Sequence, residues 1–358
     1  MESKSIIYQS VTRFVQGPGA LDELGAQVQA LGAKGQACVL LDPGVRFLQE
    51  RIAVSLGSHQ VPYFVQEFDG NLSIRHVDRL AAELKGREHP SVFIGVGSGK
   101  AIDLSKMLAH RLETRNVVVA TASATDAAPS HAAVGVDEKG HILAESYATS
   151  PDVVLVDSEI IARAPVRLFV AGMGDAISKK FELETAVALG ESNCFGGRRP
   201  YFIDSLATTL HETLLAKGRQ AKASVEQGRL SDEVEQVITA CVLLSTLVWE
   251  NGGLAGAHSI ANILFNSAYC RGALHGEQVA VGLLMLLSLQ GKGGDFATIR
   301  SFYDQVGLPR KPSSLDAALK QRSKMREIAE GVQKRWVKHH ITFTADQIIG
   351  AMEELEAR

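Results

Sequence analysis

The sequence contains no Cys-x-x-Cys pair, no excess of basic over acidic residues and no apolar run long enough to cross a bilayer. Each absence excludes a class of protein. The four cysteines, Cys38, Cys194, Cys241 and Cys270, are scattered among apolar or small residues. That excludes a disulfide framework or structural zinc ribbon and leads us to expect a reduced, cytoplasmic chain. Lys and Arg total 37 against 40 Asp and Glu, a net charge of -3, so nothing neutralises a phosphate backbone and nucleic acid is not an expected partner. The longest apolar stretch, 279–289, falls short of the roughly 20 residues of a membrane helix. It reads as a buried helix, and no membrane association is expected. Residues 1–9 lack the apolar core of a signal peptide. Hydrophobic residues at 46% and charged residues at 22% rule out a disordered chain.

With 358 residues, two domains are expected at roughly 150 residues each. Short apolar runs at 38–41, 63–65, 91–95, 116–120 and 153–157 alternate with amphipathic stretches such as 20–31, 77–84 and 100–111. Runs without polar alternation suit strands buried on both faces, which predicts an α/β unit with a parallel sheet. Segment 122–146 predicts a loop with a β-hairpin. Beyond Asp157 no strand series continues, and helical periodicity recurs at 167–187, 202–217, 233–250, 254–268, 276–290, 297–306 and 323–335. The expected boundary lies near residues 157–165, with an all-helical unit after it.

Two local features carry chemistry. Gly95-Val96-Gly97-Ser98-Gly99-Lys100 follows a buried strand and opens a helix, where unshielded N–H groups attract phosphate. It lacks the P-loop pattern, since Ile94 and Ala101 stand where Gly and Ser or Thr would be needed. It also lacks the usual dinucleotide fingerprint, because Lys100 occupies the third glycine position. A purely structural turn fits equally well. Asp42 ends an earlier strand and suits either a ribose contact or a simple turn. The second feature is Asp175, His258 and His275, each set among small residues that would let a cation and its substrate approach the backbone. Two imidazoles and a carboxylate would leave an open coordination position. Core or capping roles are the alternative for each, because no local spacing links them.

Taken in chain order, these segments resemble the glycerol dehydrogenase branch of the iron-containing (group III) alcohol dehydrogenase superfamily. The resemblance rests on 97–103 (Gly-Ser-Gly-Lys-Ala-Ile-Asp), 121–127, 172–176, 250–255, His258 and 275–277. It implies a Rossmann-like NAD-binding domain over 1–160 and a helical metal-binding, catalytic domain over 161–358. Asp175, His258 and His275 become metal ligands, with zinc expected ahead of iron. Asp42, Gly97, Ser98, Gly99, Lys100, Asp103, Thr121, Ala124, Ser130 and Ala132 become cofactor contacts, and Asp126 meets the substrate hydroxyl. The implied reaction interconverts a small polyol and its ketone in a homo-oligomer. A 2-hydroxy acid dehydrogenase, a glycerol-1-phosphate dehydrogenase and a dehydroquinate-synthase-like lyase are the rival readings.

The chain departs from the family pattern in two places. Ala261 and Asn262 stand where a second histidine commonly follows the first metal histidine. Lys179 and Lys180 lie on the metal helix, and we read them as a solvated face rather than as a subsite for an anionic substrate.

Overall fold

The computed structural model describes residues 5–87, 89–138, 140–146 and 150–358. The first part runs β1 (Arg13–Gly17), α1 (Leu24–Ala30), β2 (Ala37–Leu41), α2 (Gln49–Ser58), β3 (Tyr63–Glu67) and α3 (Ile74–Arg87). It continues with β4 (Val92–Gly97), α4 (Gly99–Leu112), β5 (Arg115–Ala120), β6 (Ala132–Val136), β7 (Ile142–Ser146) and β8 (Val153–Asp157). Helices follow: α5 (Ser158–Ala162), α6 (Val166–Ala176), α7 (Lys179–Ala188), α8 (Ile203–Glu226), α9 (Asp232–Thr239) and α10 (Ser245–Gly252). The last are α11 (Ala257–Asn266), α12 (His275–Leu289), α13 (Gly293–Val306), α14 (Arg322–Val337) and α15 (Ala345–Ala357). The α/β-then-helical order matches expectation, as does the hairpin, formed by β6 and β7.

Six strands form one parallel sheet in the order β1-β8-β5-β4-β2-β3. Alternate residues of each strand enter different cores. Val117, Val119, Val153 and Leu155 pack with Leu24, Ile52 and Leu56 on one face. Val118, Ala120, Val154 and Val156 join Phe169, Met173 and the helical half on the other. With both faces covered, every position in β2, β5 from Asn116 onward, and β8 is buried, which is why these strands lack polar alternation.

From β2 the chain passes outward to β3, then returns to β4 on the opposite side of β2. The strand order therefore reverses between β2 and β4. In open parallel sheets, the crevice beyond the carboxyl ends at such a reversal is where ligands bind. Asp42 and Ser98 lie there.

Three elements differ from the sequence reading. Strand β1 is an edge strand paired only with β8, and its short, mixed sequence RFVQG gives no apolar run. The stretch 167–187 is two helices, broken at Ile177 and Ser178. The stretch 233–250 is interrupted by one π-helical turn, Ala240–Leu244, a feature often found at functional sites.

Candidate active site

The glycine loop is shaped by its contact with Asp42. The Asp42 carboxylate caps the turn after β2, accepting from the Gly44 amide at 2.9 Å. Its other oxygen accepts from the Ser98 hydroxyl at 2.6 Å and the Ser98 amide at 3.3 Å. Gly97 has φ +142°, and a Cβ there would stand 2.3 Å from Asp42 Cβ. Glycine is needed so that the two strand ends can meet. Asp42 thus fills the turn role and also lies at the strand-order reversal, where a ribose contact would be made. Lys100 is exposed at the start of α4, while Thr121 is buried.

Asp103 pairs with a lysine of its own helix. It is buried 3.1 Å from the Lys106 ammonium. Burial pushes its carboxyl upward, and the nearby Lys106 charge acts in the opposite direction. Lys106 in turn donates to the carbonyls of Ala127, Ser130 and Ala132. The Asp103–Lys106 pair therefore clamps the segment carrying Asp126, Ser130 and Ala132. The carbonyl of Ala132 serves the clamp, and the Ser130 hydroxyl accepts from the Ala132 amide at 2.9 Å.

Glycines bring the distant candidate ligands together. A Cβ on Gly276 would lie 1.8 Å from the Ala171 carbonyl, one on Gly174 would lie 2.6 Å from the Gly276 carbonyl, and one on Gly172 would lie 1.7 Å from the Ser123 carbonyl. These positions let α6 press against α12 and against the segment after β5, which brings Asp175 and His275 together. Gly172, Gly174 and Gly276 thus serve backbone-to-backbone packing, a role that the reading of the sequence did not assign to them.

The three candidate ligands do converge. One ligand atom from each of Asp175, His258 and His275 lies within 4.8 Å of the others. Glu182 accepts the His258 amide at 2.9 Å and sits 2.5 Å from His258 Nδ1. A carboxylate on Nδ1 orients the ring so that Nε2 faces the cluster. Nε2 is 3.0 Å from Asp175 Oδ1. Burial is the largest influence and opposes the charged form of His258, but Glu182 and Asp175 together outweigh it and lift the pKa to about 9. Burial holds His275 down at about 4. Burial also works against ionised Asp175, yet Lys179 and His258 keep its carboxyl far below the usual range.

Lys179 is the main correction. Its side chain is 1% exposed, so it is not part of a solvated face. Its ammonium lies 2.8 Å from Asp175 Oδ1, 2.9 Å from His258 Nε2 and 3.1 Å from Asp126 Oδ2. Burial disfavours that charge, but Asp126, Asp175 and Glu182 more than compensate and raise its pKa. Lys180 instead pairs with Glu184 at 2.8 Å, toward the surface. Sequence reasoning also missed Ser245 and Thr246, which follow the π-helical turn. Ser245 donates to Asp126 Oδ2 at 2.7 Å, and Thr246 donates to the Asp126 carbonyl at 3.0 Å. Ala261 is buried, and Asn262 carries no ionisable group.

The family model for iron-containing alcohol dehydrogenases matches residues 11–158. A glycerol dehydrogenase of Thermotoga maritima is 37% identical over 301 residues, covering 83% of this chain and 81% of its own. One from Citrobacter freundii is 34% identical over 305 residues, covering 85% and 83%. The crystal structure of glycerol dehydrogenase from Schizosaccharomyces pombe superposes with a TM-score of 0.89 at 27% identity, covering 99% of this chain and 91% of that one.

Proposed function

The chain belongs to the iron-containing alcohol dehydrogenase family, and on that premise we propose that it interconverts a small polyol and its ketone with NAD, glycerol and dihydroxyacetone being the leading pair. One observation carries this reading: Asp175, His258 and His275 converge, and the Lys179 ammonium links Asp175 to Asp126. The donor set suits a divalent metal, with Glu182 fixing the tautomer of His258 and with two imidazoles and a carboxylate as ligands. Zinc is favoured over iron as a redox-inert Lewis acid. Bound there, it would supply acidification of a substrate hydroxyl, and NAD would supply the hydride acceptor.

The residues of the chain do the rest. Asp126, held by Ser245 and Lys179, orients a hydroxyl next to the reacting carbinol and is the candidate to take its proton. With no histidine at Ala261 or Asn262, the Asp126–Ser245 pair is our choice for the proton's first stop. The Asp103–Lys106 clamp keeps the Asp126 segment in place. Asp42 favours NAD, because a 2′-phosphate beside it would set like charges together. The absence of disulfides among the four cysteines is in keeping with a reducing, cytoplasmic setting. The exposed apolar side chains of Ile6, Tyr8, Tyr201 and Phe202 are in keeping with a homo-oligomer.

A second reading rests on Lys179. A buried ammonium next to Asp126 would offset the repulsion between that carboxylate and an acidic substrate, which suits a 2-hydroxy acid. Turnover assays with glycerol, vicinal diols and 2-hydroxy acids separate the two, together with Asp126→Asn. The polyol reading expects the variant to lose polyol oxidation. If the wild type reduces 2-oxo acids and ignores every polyol, the second reading replaces the first.

A further inference from the structure

Resting on the metal-ligand reading above, we propose that the Lys179 ammonium is a tethered competitor for the metal position, so that a divalent cation must displace it from Asp175 and His258 to bind. An ammonium has three N–H donors. Lys179 has three acceptors within reach, Asp175 Oδ1 at 2.8 Å, His258 Nε2 at 2.9 Å and Asp126 Oδ2 at 3.1 Å. Two of the three belong to residues of the candidate metal cluster.

The conflict lies in the chemistry of His258. Glu182 holds its Nδ1 side, so the neutral ring that a metal requires has only Nε2 to offer the cluster, with a single lone pair. The Lys179 ammonium stands directly in front of it. A metal would need that lone pair at roughly 2.0–2.1 Å, so it and the ammonium cannot both hold His258 Nε2. Charge acts in the same direction. Asp126, Asp175 and Glu182 all face the ammonium, and their combined pull on a divalent cation is reduced by the positive charge already among them. The lysine is built into the site by position. It lies one residue beyond the α6–α7 break, four after Asp175 and three before Glu182, and its burial keeps it from swinging into solvent at no cost.

The test is direct metal affinity, measured on the full chain with Co²⁺ and Zn²⁺ against a chelating dye. Lys179→Met and Lys179→Thr are each expected to bind at least tenfold more tightly than the wild type, with the same cobalt absorption band at saturation. His258→Ala is expected to lose binding in either background. In wild-type chain carrying ¹⁵N-labelled lysine, Zn²⁺ is expected to shift one buried ammonium signal. A purely structural lysine would give the opposite result, with its loss loosening the cluster and weakening binding. Unchanged or weaker affinity in the lysine variants overturns the proposal. So does an ammonium signal that stays unmoved through saturation, which decides the matter if neither variant folds. If no form of the chain takes up metal, the ligand assignment falls along with the competition.

Discussion

Asp42 meets Ser98 across 56 positions of sequence, at the ends of two neighbouring parallel strands. Asp175 meets His258 across 83 positions of sequence, on two helices, α6 and α11, that both pack closely against α12 at glycines. The first contact follows from local geometry, since adjacent parallel strands must end side by side. The second needs the whole helical half to pack correctly. The sheet end around Asp42 and Ser98 should therefore tolerate change at a single residue better than the cluster does.

The largest effect is expected from His258→Ala, which should lower turnover by at least about a thousandfold, in line with loss of a charge-stabilising group. Circular dichroism should still show a folded chain, because His258 lies at the edge of the core rather than within it. A variant that retained substantial turnover would remove this residue from the chemistry.

Next come two glycines, one from each region. Gly276→Ala drives a Cβ into the Ala171 carbonyl at 1.8 Å, and overpacking against backbone should cost about 3 kcal/mol or more. Gly99→Ala meets nothing nearer than the Thr125 hydroxyl at 3.5 Å, so its stability should change by less than about 1 kcal/mol. The effect of Gly99→Ala should instead appear as a raised KM for NAD. Equal losses of stability by denaturant titration would erase the contrast between the two regions.

The same contrast governs what could be read in advance. Strands β2, β4, β5 and β8 announce themselves because burial on both faces demands unbroken apolar runs. Strand β1 does not, since an edge strand has no such requirement. Asp175, His258 and His275 could be named one by one, but physical reasoning could not join them, because their meeting depends on Gly172, Gly174 and Gly276 rather than on spacing. Lys179 was misread because a lysine is rarely buried and two of its partners, Asp126 and His258, come from other segments. One signal was available: Asp175, Lys179 and Glu182 stand at i, i+4 and i+7, one face of a helix. The rest of Lys179's environment was not legible without the fold.

A smaller change is expected from Asp42→Ala. Discrimination between NAD and NADP, measured as the ratio of kcat/KM values, should fall at least tenfold, or about 1.4 kcal/mol. An unchanged ratio would place the ribose elsewhere and leave Asp42 only its cap and its hydrogen bonds to Ser98.

The smallest effect concerns His211, whose ring packs edge-on against Phe181 in the helical half. Burial, assisted by the Lys180 charge, lowers its pKa below 6.5. The unfolded chain therefore takes up the proton first as pH falls. Stability is lost as pH drops through about 6.5 toward the folded value, and it is regained on return to neutrality. His211→Gln should flatten that part of the curve, so Tm should fall less between pH 7 and pH 5 than in the wild type. An identical slope would mean that other groups set the acid sensitivity.

The central claim is that Asp175, His258 and His275 act together as one metal centre at the reacting carbon. Its most direct test is to strip the chain with a chelator and restore Zn²⁺ in steps, measuring bound metal and polyol-dependent NAD reduction on the same samples. Activity should rise in proportion to bound metal and level off at about one ion per chain, with no recovery in His258→Ala. Full activity in a preparation shown to hold no metal would contradict the account.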